Sequence, residues 1–131
     1  MPIEIRLLAF AALLGVIQVV AAGAAANPQR GFGWALGPRD DPRPPPTGMA
    51  GRLDRASRNF LETFPFFAAL VLAAAAIDRH NGMIVTGAHV YFWSRLVYLP
   101  AYALAVPFLR SVVWGASLIG ILLVFAGLFA K

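Results

Sequence analysis

The sequence has no cysteine, only two histidines, and few charges, which occupy 13% of its 131 positions. The missing cysteines exclude a disulfide framework, thiolate metal ligands and a cysteine nucleophile, and they leave the redox compartment open. His89 has no metal-ligating partner at useful spacing and reads as a packing or hydrogen-bonding residue, while His80 reads as a solvated turn residue, so no metal site is expected. Ordinary soluble domains are about 25% charged and about 45–50% apolar. Here 60% of residues are hydrophobic. That composition excludes both an ordinary water-soluble domain and a disordered chain. The formal charge is +5, but the basic residues are scattered or flank apolar runs. A membrane explains that placement better than a nucleic acid does.

What the chain does have is long apolar runs. A hydrocarbon core of ~30 Å needs about 20 apolar residues in helical form. Leu7 to Ala26 contains Gln18 as its one polar side chain, and Phe60 to Ile77 is broken only by Glu62, Thr63 and Pro65 near its start. Met83 to Leu109 carries His89, Ser94 and Arg95, and Ser111 to Ala130 carries no charge. Lipid gives the backbone no hydrogen-bonding partner, so each run is expected to be a helix. The spans are predicted at about 5–26, 56–78, 83–107 and 110–130, in one integral membrane domain covering 1–131. Short corners at Asp78–Gly82 and Pro107–Arg110 force antiparallel neighbours. The fold class is therefore all-α, a transmembrane four-helix up-down-up-down bundle.

Residues 27–51 form a polar segment rich in proline and glycine, read as an extended or turning loop with a polyproline-like tip at Pro44–Pro46. Arg30, Arg39, Arg43, Arg52, Arg55, Arg58 and Arg110 lie on its side, against Arg6, Arg79 and Lys131 on the other. This bias predicts a cytoplasmic loop. Ala24-Ala25-Ala26 resembles a signal-peptidase site, but Glu4 offsets Arg6 and the apolar run is long for a signal peptide, so a retained span is the better reading.

Ionisable groups within a bilayer cost roughly 2.5–3.5 kcal/mol each on insertion scales, which makes them functional candidates. Arg52, Arg55, Asn59 and Glu62 are spaced three, four and three apart and share one helix face. Tyr91, Arg95, Tyr98 and Tyr102 do the same on the next long helix. Taken singly, the arginines can be headgroup anchors, the tyrosines interfacial aromatics, and Glu62 a partner of Arg58 or Arg95. Taken together, the rows describe a polar pocket on the long-loop side. Guanidinium forks bind carboxylates bidentately, Glu62 suits an amine, and Asn59 suits a peptide amide. Such a ligand is small, with several carboxylates, an amine and amide bonds. Glutathione meets that description, and so do other anionic metabolites.

The run Arg55-Ala56-Ser57-Arg58-Asn59-Phe60-Leu61-Glu62-Thr63-Phe64-Pro65 resembles the second-helix signature of the MAPEG family, R-A-x-x-N-x-x-E-x-x-P. That family comprises membrane-associated proteins in eicosanoid and glutathione metabolism. Arg95, Tyr98 and Tyr102 are similar to its third-helix pattern, R-x-x-Y-x-x-x-Y, and Arg110 resembles the arginine that activates the glutathione thiol. The resemblance implies a homotrimer, with glutathione as cosubstrate held between neighbouring subunits near the cytoplasmic face. By position it implies Arg55, Asn59, Glu62, Arg95, Tyr98 and Tyr102 as binding residues, Arg30 as a further candidate, and Arg110 as the catalytic one. By analogy it implies a bacterial inner-membrane protein. Thr63 stands where several enzymatic members have tyrosine, and Arg110 is one residue off the family spacing, with Pro107 intervening.

Three functions compete. The first is a glutathione-dependent transferase or peroxidase acting on small lipophilic electrophiles. The second is a non-catalytic membrane module that binds a lipid or protein partner. The third, a transporter, ranks last because the ionisable residues gather toward one face. Close helix contacts for a trimer are expected from Ala11-x-x-x-Gly15 and Ala116-x-x-x-Gly120.

Overall fold

Apolar runs of this length satisfy their own backbone groups only as helices, and the computed structural model, which describes residues 1–131, is wholly helical. Its elements are α1 (Ile3–Arg30), α2 (Phe32–Leu36), α3 (Gly48–Ala76), α4 (Gly82–Ala103) and α5 (Leu109–Phe129), with no strand. Sequential long helices run antiparallel. The side chain of Gln29 in α1 is bonded to Thr47 just ahead of α3, whereas Gly15, deeper in α1, meets Phe60, deeper in α3. Between α4 and α5, Gly127 meets Ile84 and Gly120 meets Gly87 and Tyr91. By length and composition, α1, α3 and α5 can each cross a membrane; α4, with His89, Ser94, Arg95 and Pro100, is not among these three. Large apolar side chains such as Val16, Val20, Ile119, Leu122 and Phe125 lie exposed along α1 and α5, as on a lipid-facing surface.

The apolar core sits away from the long loop. Ten buried residues form it, among them Leu7 and Ala11 of α1, Phe67 and Val71 of α3, Ile84 and Tyr91 of α4, and Val124 of α5. The rings of Phe67 and Tyr91 stack with centroids 4.1 Å apart. At this end α4 and α5 touch backbone to backbone. A Cβ on Gly120 would lie 2.6 Å from Tyr91 N, and one on Gly87 would lie 2.6 Å from Gly120 O. Only glycine permits that approach. Gly15 and Gly120, expected from the sequence to serve close helix contacts, meet Phe60 and the α4 backbone within the chain.

The element ends depart from expectation for identifiable reasons. Helix α3 begins at Gly48 rather than at 56, because charged residues do not interrupt a helix and no proline occurs between Pro46 and Pro65. Hydropathy marks the membrane-embedded stretch; the hydrogen-bond ladder runs beyond it. Helix α4 ends at Ala103 rather than 107, and the corner at 104–108 contains Ala105 and Phe108 with positive φ. Pro107 biases Val106 away from helical geometry. The segment 27–51 is less extended than predicted: α1 continues through Pro28 to Arg30, and Phe32–Leu36 makes a further turn. The guanidiniums of Arg30 and Arg39 both lie over the Trp34 indole, whose Nε1 donates to the Asp41 carbonyl.

His80 is not merely solvated. Its Nδ1 is 2.7 Å from Oε1 of the buried Glu4, tying the α3–α4 turn to the start of α1. The neighbouring Asn81 caps α4 through Ile84 N and donates to Gly127 O on α5. His89 accepts a hydrogen bond from Trp93 Nε1 at 3.2 Å.

Candidate functional site

The two polar rows face each other across α3 and α4, forming rungs in antiparallel order. Arg52 Nε donates to Ala103 O at 2.8 Å, and Arg55 Nε donates to the Tyr102 hydroxyl at 2.9 Å. Arg95 Nη1 donates to Asn59 Oδ1 at 2.8 Å, and the hydroxyls of Thr63 and Tyr91 lie 3.0 Å apart. Helical spacing places these side chains on facing stripes, and the antiparallel pairing of α3 with α4 brings them into register.

Beside this ladder an open cleft of about 330 Å³ has Arg55, Arg58, Asn59 and Glu62 on one wall and Tyr98 and Tyr102 on the other, with Arg110 of α5 closing it. The guanidiniums of Arg55 and Arg110 both sit over the Tyr102 ring, at 5.8 and 5.0 Å from its centroid. Two smaller hollows share these walls. One, of about 180 Å³, adds Ser111 and Trp114; the other, of about 270 Å³, adds Arg52 and the corner Ala105–Pro107. Arg110 lines all three. The termination of α4 at Ala103 places this arginine in the first turn of α5, not on the end of α4.

Charge is distributed unevenly in the cleft. Arg58 pairs with Asp54 at 3.1 Å, one turn back on its own helix, and Glu62 is exposed with no cationic partner. Neither pairing weighed for Glu62 from the sequence, to Arg58 or to Arg95, is made. Its carboxylate is therefore available to an incoming ammonium group. Arg55 and Arg110 have no carboxylate partner either, which leaves two forks available to anionic oxygens. A fixed cation beside a thiol favours the thiolate, whose proton otherwise leaves near pKa ~8.5. The donor set fits an anionic, amine-bearing thiol such as glutathione.

Not every candidate residue reaches this cleft. Arg95 is 1% exposed and lies behind Asn59, its guanidinium 4.2 Å from the Tyr98 ring centroid and 5.5 Å from that of Phe60. Arg30 sits over Trp34 at 5.7 Å and lines none of the three hollows. Thr63 is buried against Tyr91, so the hydroxyl at this position points into the helix contact. Ser111 and Trp114 are wall residues that sequence reasoning overlooked. The signal was present: Trp114 follows Arg110 by four residues, one turn along the same face. On another side of the molecule an apolar groove of about 380 Å³ runs between α1 and α3, walled by Gly15, Val16, Val20, Phe60 and Phe64.

A family model described as "MAPEG family" matches residues 7–130. No curated protein matches the chain.

Proposed function

The chain belongs to the MAPEG family and is an integral membrane protein, and from that premise we propose that it is a glutathione-dependent transferase or peroxidase acting on lipophilic electrophiles. The supporting observation is the convergence of three helices on one cleft containing guanidiniums, a free carboxylate, an amide and phenol hydroxyls. In this reading Arg55 binds a carboxylate of glutathione, Glu62 its ammonium group, and Asn59 a carbonyl or carboxylate oxygen. Tyr98 and Tyr102 donate hydroxyl bonds. Arg110 holds the sulfur as a thiolate, so its proton is lost before the electrophile arrives. In a transfer the thiolate forms an S–C bond as the electrophile's leaving group departs with its bonding electrons or, in an addition, as a π pair shifts onto a neighbouring atom that is then protonated. In peroxide reduction the sulfur bonds the terminal oxygen as the O–O bond breaks, the alkoxide takes a proton and leaves as the alcohol, and a second glutathione converts the sulfenic acid to disulfide and water. Arg30, by Trp34, is left with an ancillary role at the neighbouring subunit's cleft.

The same reading has α4 as the fourth span, giving a four-helix up-down-up-down bundle that assembles as a homotrimer, with the 27–51 segment cytoplasmic in a bacterial inner membrane. The openness of the cleft suits completion by a neighbouring subunit, and lipophilic substrates then enter from the bilayer. The groove between α1 and α3 favours a second reading, in which the protein is a lipid-binding module without turnover.

Absorbance spectroscopy of the purified protein with glutathione separates the two. Enzyme chemistry requires the absorbance of a bound thiolate, which disappears in Arg110→Ala. Glutathione binding with neither thiolate nor turnover would leave only the second reading.

A further inference from the structure

We infer that Arg95 is a positioning residue: it locks the carboxamide of Asn59 in the orientation that presents its N–H donors to the cleft. The inference rests on the glutathione-site reading and specifies which ligand groups that site accepts. A guanidinium has five N–H donors and no acceptor. The atom of Asn59 lying 2.8 Å from Arg95 Nη1 must therefore be the carbonyl oxygen. With Oδ1 held by Arg95, Nδ2 points away from that guanidinium, and Asn59 is a lining residue of the cleft. An asparagine left to itself offers a donor or an acceptor by a flip of the amide. Here the flip would set an N–H against a cation. The N–H group that Asn59 then offers is matched by an acceptor, a carboxylate or carbonyl oxygen, while Arg95 already takes one of the two lone pairs of Oδ1.

The burial of Arg95 supports a role exercised through another residue. It is 1% exposed and lines none of the hollows around the cleft, so it does not touch a ligand there. No carboxylate pairs with it, and its Nε and Nη2 are buried without a hydrogen bond from the chain. The faces of Tyr98 and Phe60 supply its compensation. A buried cation with so little pairing does not strengthen a fold, and apolar replacements of buried ions are often neutral or stabilising. Its one directional contact is Asn59. The same guanidinium underlies the ring of Tyr98, so two cleft walls are seated on a single buried group.

The test is a double-mutant cycle read by glutathione titration of the full-length protein in nanodiscs. Arg95→Met and Asn59→Ala are each expected to weaken binding about ten-fold, the loss of one hydrogen bond to a charged ligand group. The double variant is expected to be no weaker than Asn59→Ala alone, and Arg95→Lys, which retains a donor, is expected to restore most of the affinity. Independent, multiplying losses would overturn the inference. A second arm needs no ligand. Asn27, Asn59 and Asn81 are the only asparagines, so selective ¹⁵N-asparagine labelling resolves the Asn59 carboxamide by NMR. That group should be rigid in the parent and in Arg95→Lys and mobile in Arg95→Met, with Asn81 as internal control; equal order in all three contradicts the inference. Should the parent fail to bind glutathione, the functional reading falls while the carboxamide measurement still decides the part played by Arg95.

Discussion

The two ends of the helix assembly solve opposite packing problems. Away from the long loop, α4 and α5 press together on glycine, and ten buried residues, aromatic Phe67 and Tyr91 among them, form the core. Toward the loop the apolar cluster shrinks to Ala56, Tyr98 and Val113, and arginine, asparagine and tyrosine occupy the helix contacts instead. Long polar side chains hold helices apart, where glycine lets them close. A cleft opens at the loop end, where walls are bonded through side-chain tips, whereas α4 and α5 touch backbone to backbone at Gly87 and Gly120. Close packing and the polar cleft are thereby placed in different halves of the same helices, and substitutions in each half should betray which job it does.

The largest separation should come from Arg110→Ala. Removing the cation that stabilises a developing or resident negative charge typically costs 10²–10³-fold in rate, about 3–4 kcal/mol. Turnover with a model electrophile is expected to fall by that order while the melting temperature stays put. Next come Arg55→Ala and Glu62→Ala, each removing a charge-assisted contact worth about 1.5–3 kcal/mol. Calorimetry should show glutathione affinity reduced at least ten-fold, again without a loss of thermal stability. Gly120→Val inverts the pattern: its side chain would collide with the α4 backbone at Tyr91 and Gly87. Overpacking of this kind costs about 1–3 kcal/mol, readable as a lower melting temperature in detergent, with per-molecule affinity little changed in the fraction that stays folded. The smallest effects belong to Tyr98→Phe and Tyr102→Phe, about 0.5–1.5 kcal/mol of binding each. A Gly120 variant that lost affinity first, or an Arg110 variant that melted first, would break the division of labour.

Much of the cleft was legible beforehand because helical spacing alone determines which side chains share a face. Arg55, Asn59 and Glu62 on one stripe and Tyr98 and Tyr102 on the other could be assigned without coordinates. Spacing is silent on depth. Arg95 belongs to the same stripe as the tyrosines, yet it lies beneath the cleft wall, because an arginine near the helix contact reaches across to Asn59 instead of outward. Ion pairing was equally opaque: Arg58 turned back to Asp54 on its own helix, so Glu62 stayed free. The corner at 104–108 separates Arg110 from the helix that carries Tyr98 and Tyr102. Backbone at positive φ in Ala105 and Phe108 redirects the chain and resets the face that Arg110 presents, and no count of residues from Tyr102 reveals that. The small residues at Gly15 and Gly120 were recognised as contact points, but the sequence could not say whether their partners lay in the same chain.

The most direct measurement is calorimetric titration of the purified full-length protein with glutathione, run in parallel on Glu62→Ala and Arg55→Ala. Saturable binding to the parent, at least ten-fold weaker in both variants, is the expected result. Absence of binding to the parent, or equal affinity in all three proteins, would contradict a glutathione site between α3, α4 and α5.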